Sequence, residues 1–422
     1  MDVTNREYAL ALDAKDPLAK YKSQFVIADP EVCYLDGNSL GRLPKKTVDV
    51  LHDFLDNEWG KKVVDGWPDW IDDPETAGNT IGSASLGAAE GQVIALDTIS
   101  VNFYQLVMAA LRARPGRKTI IIDAANFPTD RYIVQGIAEQ HGLRLITLDN
   151  ESTSDHEMIT PELLKPYMSD DVALVTFQII QYRSGARNNL KAITELAHSY
   201  GALTIWDASH ACGSIDIQLD RDGADMAVGC TYKYGNSGPG ASGWLYVRKE
   251  LQKEVHVPIQ GWFAQKDQFA MGPIFERVDG IRGFMIASPN IMSLRAITTS
   301  YSMIKEAGIA EMEKKCAKGT EMMVDLYDAW FAKLGFELMT PRKADARGGH
   351  ITIKHPEGKR IAVAMRKFIK VIPDYREPNS VRLAISPLPT SYTEVWDGFD
   401  RIRNLVETRE YERIDKVSGR VT

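Results

Sequence analysis

From residue 118 to residue 207 the apolar pattern alternates between short β-rich runs and helical periods, and this alternation constrains the fold more than any other feature. It predicts strands over 119–122, 143–148, 172–177 and 202–206, the last closed by Asp207. Helices are predicted over 101–112, 129–141, 161–168 and 191–200, with Pro161 in a first turn and Gly201 as a stop. A βαβα rhythm of this kind makes a mostly parallel sheet with helices on both faces, an α/β fold. The rhythm then breaks: 225–229 and 243–247 read as strands joined by a Gly-rich turn, a hairpin grafted onto the parallel sheet. From Ile291 a helical pattern runs past Lys315 toward Leu334 and stops at Gly335, and periodic runs at 350–354, 360–368, 380–385 and 390–406 follow. This last third reads as a smaller α+β domain joined by a long helix.

Composition narrows the partners. The 422 residues are 44% hydrophobic and 25% charged, ordinary for a chain that buries a large core. Fifty Lys and Arg against fifty-seven Asp and Glu give a net charge of −7 with no long run of either sign, which argues against nucleic acid or a polybasic membrane surface. The start, MDVTNREYALALDAKDPLAK, has no signal-peptide apolar stretch, and no run approaches the ~18 apolar residues of a membrane span. The expectation is a cytoplasmic protein that acts on a small molecule. Cys33, Cys212, Cys230 and Cys316 are far apart, and the eight histidines include no HExxH, so neither a disulfide framework nor a catalytic metal is expected.

One stretch, 59–83, shows little period and carries three tryptophans, two prolines and five acidic residues. It reads as a long ordered loop, in which Trp59, Trp67 and Trp70 either plug the core or wall an aryl substrate.

Gly238 to Gly243 matches GxGxxG, but the β-rich WLYV follows it where a dinucleotide loop would open a helix, so a nicotinamide site is set aside. The stronger constellation is Asp207 and His210 in WDASH with Tyr232 and Lys233 in CTYK, all at the carboxyl ends of strands where open α/β sheets bind ligands. Pyridoxal 5'-phosphate (PLP) chemistry needs a lysine for the cofactor aldehyde and a carboxylate facing the pyridine nitrogen, roles that suit Lys233 and Asp207. The plainer reading makes Asp207 a turn cap and Lys233 a surface lysine, which the GCTY and YGN flanks fit poorly. Phe127 in NFPTD offers a face for a cofactor ring, and Asp97 to Ser100 precedes a helix whose N-terminus suits a phosphate.

These residues carry a resemblance. YLDGNSLGRLP, the FPTD turn, QYRSG, WDASHACG, GCTYKYGNSGPG, GWF after VPIQ, and PDYREPNSVRLAISPLPTSYTEVWD run in order over about 34–397 and resemble kynureninases of the bacterial type. The resemblance implies the PLP-dependent transferase-like fold type I: a mostly parallel sheet of about seven strands plus the smaller α+β domain. It also implies three segments: 1–70, an N-terminal arm and substrate-side segment; 71–290, the PLP-binding α/β domain; and 291–422, the linking helix and small domain.

By the same resemblance the protein is a homodimer that hydrolyses kynurenine or 3-hydroxykynurenine to an anthranilate and alanine, in tryptophan degradation, NAD biosynthesis or a derived pathway. Another fold-type-I lyase or aminotransferase acting on an aromatic amino acid is the alternative, separated by release of the aryl product. Lys233 would carry the cofactor, Asp207 would meet its pyridinium and Tyr232 would act as a proton donor. Ile99, Ser100, Phe127, Pro128, Thr129, Asp130, Gln178, His210, Trp262 and Ser288 would line the cofactor. Ser39, Trp67 and Arg382 would approach the substrate, Arg382 through its carboxylate.

The chain departs from the family pattern at Gln178 (usually Thr or Ser), Ser209 (Ala), Gly235 (Leu), Ser288 (Asn or Thr) and Pro389 (Tyr). These departures bear on the aryl pocket and hence on the ring substituent.

Overall fold

The structure is a computed structural model that describes residues 2–152 and 155–415. Residue 1 of the expected first segment and residues 416–422 of the third therefore lie outside the described residues.

Seven strands form the larger sheet: β1 (Val93–Ala95), β2 (Thr119–Asp123), β3 (Arg144–Leu148), β4 (Val172–Gln178), β5 (Leu203–Asp207), β6 (Met226–Gly229) and β7 (Trp244–Val247). Their order is β1-β7-β6-β5-β4-β2-β3, with every pairing parallel except those of β7, which is antiparallel to both neighbours. The grafted hairpin of the sequence is thus β6–β7. Side chains alternate between the faces, and the two faces belong to two different apolar clusters. Ile120 and Ile122 pack with Phe103 and Leu106 of helix Ile99–Ala113, whereas Ile121 packs with Ile193 of helix Leu190–Ser199 and Leu294 of helix Ile291–Ala307. Strands buried on both faces need continuous apolar runs, which is why TIII and VALV read so clearly.

A four-stranded antiparallel sheet follows: β8 (Glu337–Leu338), β9 (His350–Lys354), β10 (Asp374–Arg376) and β11 (Ser380–Ala384), in the order β10-β11-β9-β8. Its core joins Ile351, Ile353, Val381 and Leu383 to Met322, Ile361, Met365, Val395 and Phe399 from three helices. The N-terminal stretch packs on this part of the chain: Ala9 and Leu35 belong to the same cluster, and Cys33–Tyr34 pairs in parallel with Val371–Ile372.

Two expectations are corrected. The long helix from Ile291 is two helices, Ile291–Ala307 and Ile309–Leu326, broken at Gly308 (φ +82°), a conformation open to glycine at little cost. The expected stop at Gly335 is present in the left-handed region (φ +86°).

The stretch 59–83 is not a long loop but a chain of short helical pieces, among them Trp67–Trp70 and Asp73–Ile81, each with proline in its first turn. Pieces this short cannot display an amphipathic period, so the pattern was invisible to periodicity. Trp70 is buried with its indole N–H donated to Glu58 (2.8 Å), and a Cβ on Gly66 would lie 2.1 Å from its ring; Trp59 is exposed.

Among the described residues no helix is long and apolar enough to cross a membrane, and no group of three His, Cys, Asp or Glu side chains gathers as metal ligands. All four cysteines are unpaired and buried.

Candidate active site

β5 ends in Asp207, and its register with β4 sets Gln178 directly beside it. The buried carboxylate accepts the Ser209 backbone N–H at 2.8 Å and Gln178 Nε2 at 3.2 Å. Gln178 and the segment of Ser209, two departures from the family pattern, therefore hold Asp207 in place. After β6 the chain turns through Cys230, Thr231 and Tyr232 to Lys233, whose Nζ lies 2.9 Å from His210 Nε2.

Electrostatics follow from enclosure. Burial pushes the Lys233 amine below its usual pKa, against the pull of Cys230 and Asp207 toward the charged form. Burial, then Lys233 and Arg382, drive His210 well below the ordinary imidazole range, so it is neutral. Asp130, in the first turn of helix Pro128–His141, is raised well above the carboxylate range by burial and by the neighbouring carboxylates of Asp207 and Asp123. The Tyr232 hydroxyl is raised by Cys230 first and burial second, and it stays protonated.

The far end of the site is built from backbone. Thr98 caps helix Ile99–Ala113 by accepting the Val101 N–H (3.4 Å), and the first N–H groups of that helix have no partner within it. Gly243 lies against them: a Cβ there would sit 3.2 Å from the Ile99 nitrogen. A helix N-terminus with adjacent small residues suits an anion.

Of the expected cofactor residues, Ile99, Ser100, Phe127, Thr129, Asp130, Gln178, Asp207, His210, Tyr232 and Lys233 line one cavity of about 220 Å³. Phe127 stands edge-on to Tyr182, with ring centroids 5.3 Å apart. Thr98, from the segment expected to meet a phosphate, lines the cavity too, as do Ser209, Gly240, Ala241 and Gly243, which were not singled out as binding residues from sequence. The signal was the GxGxxG string itself: it is not a dinucleotide loop, since β7 follows, yet two of its glycines, Gly240 and Gly243, wall the cavity.

Three expected cofactor residues do not line that cavity within one chain. Pro128 serves as the first residue of its helix, and Ser288 lines an adjoining cavity with Thr98 and Gly240. Trp262 is exposed, packed edge-on against Phe263 and Phe269. Among the expected substrate residues, Trp67 packs on Trp70 and Phe263. Arg382 is fully buried: its guanidinium pairs with the buried carboxylate of Asp374, donates to the Tyr182 carbonyl and reaches Ser39 Oγ at 3.2 Å. Arg382 thus adjoins the cavity through Tyr182, while Trp67 does not face it.

Gly235 shows how one departure is accommodated. A Cβ there would lie 2.4 Å from the Thr231 carbonyl and 2.6 Å from the Tyr301 hydroxyl, which itself contacts Cys212 Sγ at 3.2 Å. Tyr301 fills the space that the family's leucine would need. Gly235→Leu is expected to destabilise the fold by about 1–3 kcal/mol, the usual scale of overpacking, with part recovered in the Gly235→Leu/Tyr301→Ala double variant. Denaturant unfolding of the three variants reads this, and an undisturbed single variant would contradict it.

A half-buried lysine and a buried carboxylate at the carboxyl ends of a mostly parallel seven-stranded sheet, facing a helix N-terminus, define a fold-type-I PLP-dependent enzyme. The fold agrees with solved structures: a cysteine desulfurase from Escherichia coli superposes with a TM-score of 0.76 at 14% identity, covering 92% of this chain and 98% of that one. A C-DES variant with glycine covalently linked to its PLP cofactor gives 0.75 at 14% identity, covering 91% and 97%.

Sequence relatives are more specific. The Kynureninase C-terminal domain family matches residues 312–402. Kynureninase of Pseudomonas fluorescens is 35% identical over 417 residues, 97% of each chain, and that of Burkholderia pseudomallei is 33% identical over 416 residues, 96% of each. The chain belongs to the kynureninase family; it is a kynureninase-type hydrolase, and PLP is its cofactor.

Proposed function

We propose that the protein hydrolyses L-kynurenine, 3-hydroxy-L-kynurenine or a ring-substituted analogue to the matching anthranilate and L-alanine, in tryptophan degradation, NAD biosynthesis or a derived pathway. The observation that carries this is the cavity gathering Phe127, Asp207, Tyr232 and Lys233, with Arg382 beside it through Tyr182. The residues fit PLP: the helix N-terminus and Gly240 to Gly243 suit the phosphate, Phe127 suits the ring face, and the oriented Asp207 suits the ring nitrogen.

When bound, PLP supplies the electron sink that lets the substrate lose its Cα proton and break its Cβ–Cγ bond. Lys233 would hold the cofactor through its amine and, when free, would take the substrate's Cα proton; its depressed pKa supports a neutral amine for both tasks. Asp207, held by two donors, would meet the ring nitrogen and favour its protonated form, and His210 orients Lys233. Arg382, with Ser39 Oγ at 3.2 Å, would meet the substrate carboxylate. Tyr232, kept protonated, donates a proton in the later steps.

The protein is proposed to act as a homodimer in the cytoplasm. Ile259, Trp262, Phe269, Met271 and Ile274 are exposed apolar side chains within one short segment, which suits burial against a second copy. Trp262, Ser288 and Trp67 would then complete the cofactor and aryl pockets across that contact. Four buried free thiols are in keeping with a reducing compartment. The division into 1–70, 71–290 and 291–422 belongs to the same proposal.

The test uses the purified full chain with PLP. Borohydride reduction is expected to fix the cofactor on Lys233, and of kynurenine and 3-hydroxykynurenine, offered separately, at least one is expected to release alanine in equal amount with the fluorescent aryl acid. Label on another lysine, or turnover without aryl product, overturns the reading.

A further inference from the structure

Behind the cavity lies a pair of histidines of which the proposed function uses one. His210 reaches Lys233 through Nε2, while its Nδ1 is buried without a hydrogen-bond partner. His350, the first residue of β9, has its ring centroid 5.4 Å from that of His210, at an interplanar angle of 54°. It is 0% exposed, and neither of its ring nitrogens makes a hydrogen bond of normal geometry. Buried ring nitrogens without a well-aligned partner are costly unless they serve one another. A bond of about 3 Å between two imidazole edges sets the centroids about 5 Å apart, and the observed spacing is compatible with one. Gly185 (φ +77°) keeps room for this ring: a Cβ there would lie 3.2 Å from His350 Nε2 and 2.7 Å from the His350 carbonyl.

Building on the reading of Lys233 as the cofactor lysine, we propose that His350 is a positioning residue that completes a hydrogen-bonded chain Lys233–His210–His350 and so sets the tautomer and orientation of His210. The charges around the chain support it. Lys233 and Arg382 face both rings, and Arg376 also faces His210, so both histidines are held neutral. Lys233 itself is faced by Cys230, Asp207, Asp130, Arg382 and Arg376.

A neutral imidazole has one donor and one acceptor. The Tyr182 backbone faces His350 as the acceptor for one ring N–H, which leaves the other nitrogen as a lone pair for His210 Nδ1–H. His210 then presents Nε2 as an acceptor to the Lys233 ammonium. Donation at Nδ1 makes Nε2 the stronger acceptor and stabilises the charged amine. Losing the His350 acceptor therefore lowers the Lys233 pKa further.

The experiment measures carbamylation of Lys233 by cyanate against pH in the full-length chain before PLP is added, read by peptide mass spectrometry. His350→Leu is expected to move the midpoint down by about 0.5 unit, whereas His350→Gln, whose amide keeps an acceptor, is expected to track the parent. Coincident profiles for all three proteins overturn the proposal, and so does an equal shift in both variants, which would mark packing alone. If His350→Leu does not fold, proton NMR of the parent labelled with nitrogen-15 histidine decides instead. A slowly exchanging, hydrogen-bonded imidazole N–H that is lost in His210→Gln is expected, and its absence overturns the chain. Cyanate reads the amine directly, so this outcome is separate from whether kynurenine is hydrolysed or where borohydride fixes the cofactor.

Discussion

Asp207→Ala is expected to lower kcat by about 10²- to 10³-fold, the scale on which one pre-organised electrostatic contact is lost, while Asp207→Glu keeps a substantial part of the activity. The carboxylate is buried at the end of β5, held from two sides by Ser209 N–H and Gln178 Nε2, so its charge is aimed before any ligand arrives. Alanine removes that charge and strands both donors; glutamate restores the charge at the cost of one methylene in a tight site. Steady-state kinetics with saturating PLP, beside a PLP-binding titration, check this. Equal kcat in the two variants would mean that Asp207 does not face the ring.

Asp374→Ala is expected to cost about 3–5 kcal/mol of stability, because it leaves the Arg382 guanidinium buried without its counter-charge. The two residues are register partners on β10 and β11; Asp374 is 0% and Arg382 1% exposed, and Arg376 adds a second contact to Asp374 at 3.0 Å. Arg382→Met alone is expected to destabilise as well, and the Asp374→Ala/Arg382→Met double variant to lose less than the sum of the two, since no lone charge then remains inside. Denaturant unfolding of the cycle measures the coupling. Additive losses would show that the pair does not interact energetically. In the folded Arg382→Lys variant, KM for the amino-acid substrate is expected to rise with PLP affinity little changed, because lysine cannot reproduce the two-pronged grip.

Much of the fold is legible because its signals are local. The apolar runs of β2, β4 and β5 announce strands buried on both faces, and Gly142 and Gly335 end their helices in the left-handed conformation that glycine adopts at little cost. The residues at strand ends are legible for the same reason, since FPTD, WDASH and CTYK each lie within a few residues of a strand that the pattern already marks. The break at Gly308 was not, because helical periodicity runs on both sides of it and a glycine inside a helix is tolerated. The pieces of 59–83 were not, because most span about one turn and none is long enough to repeat a period clearly.

What the sequence by itself determined is therefore the order of strands and helices, and a short set of groups brought to the carboxyl edge of the sheet by the period of each strand. Which groups meet there was decided by tertiary structure alone. Gln178 and Asp207 are 29 residues apart, Arg382 and Tyr182 are 200 apart, and the His210–His350 contact joins the two sheets. Tyr301 fills the place beside Gly235 from a helix that no local pattern links to it. The physical reason is that strand and helix formation depend on neighbours along the chain, whereas hydrogen-bond partners, burial and the resulting shifts in charge depend on side chains that only the packed sheets and helices bring into contact.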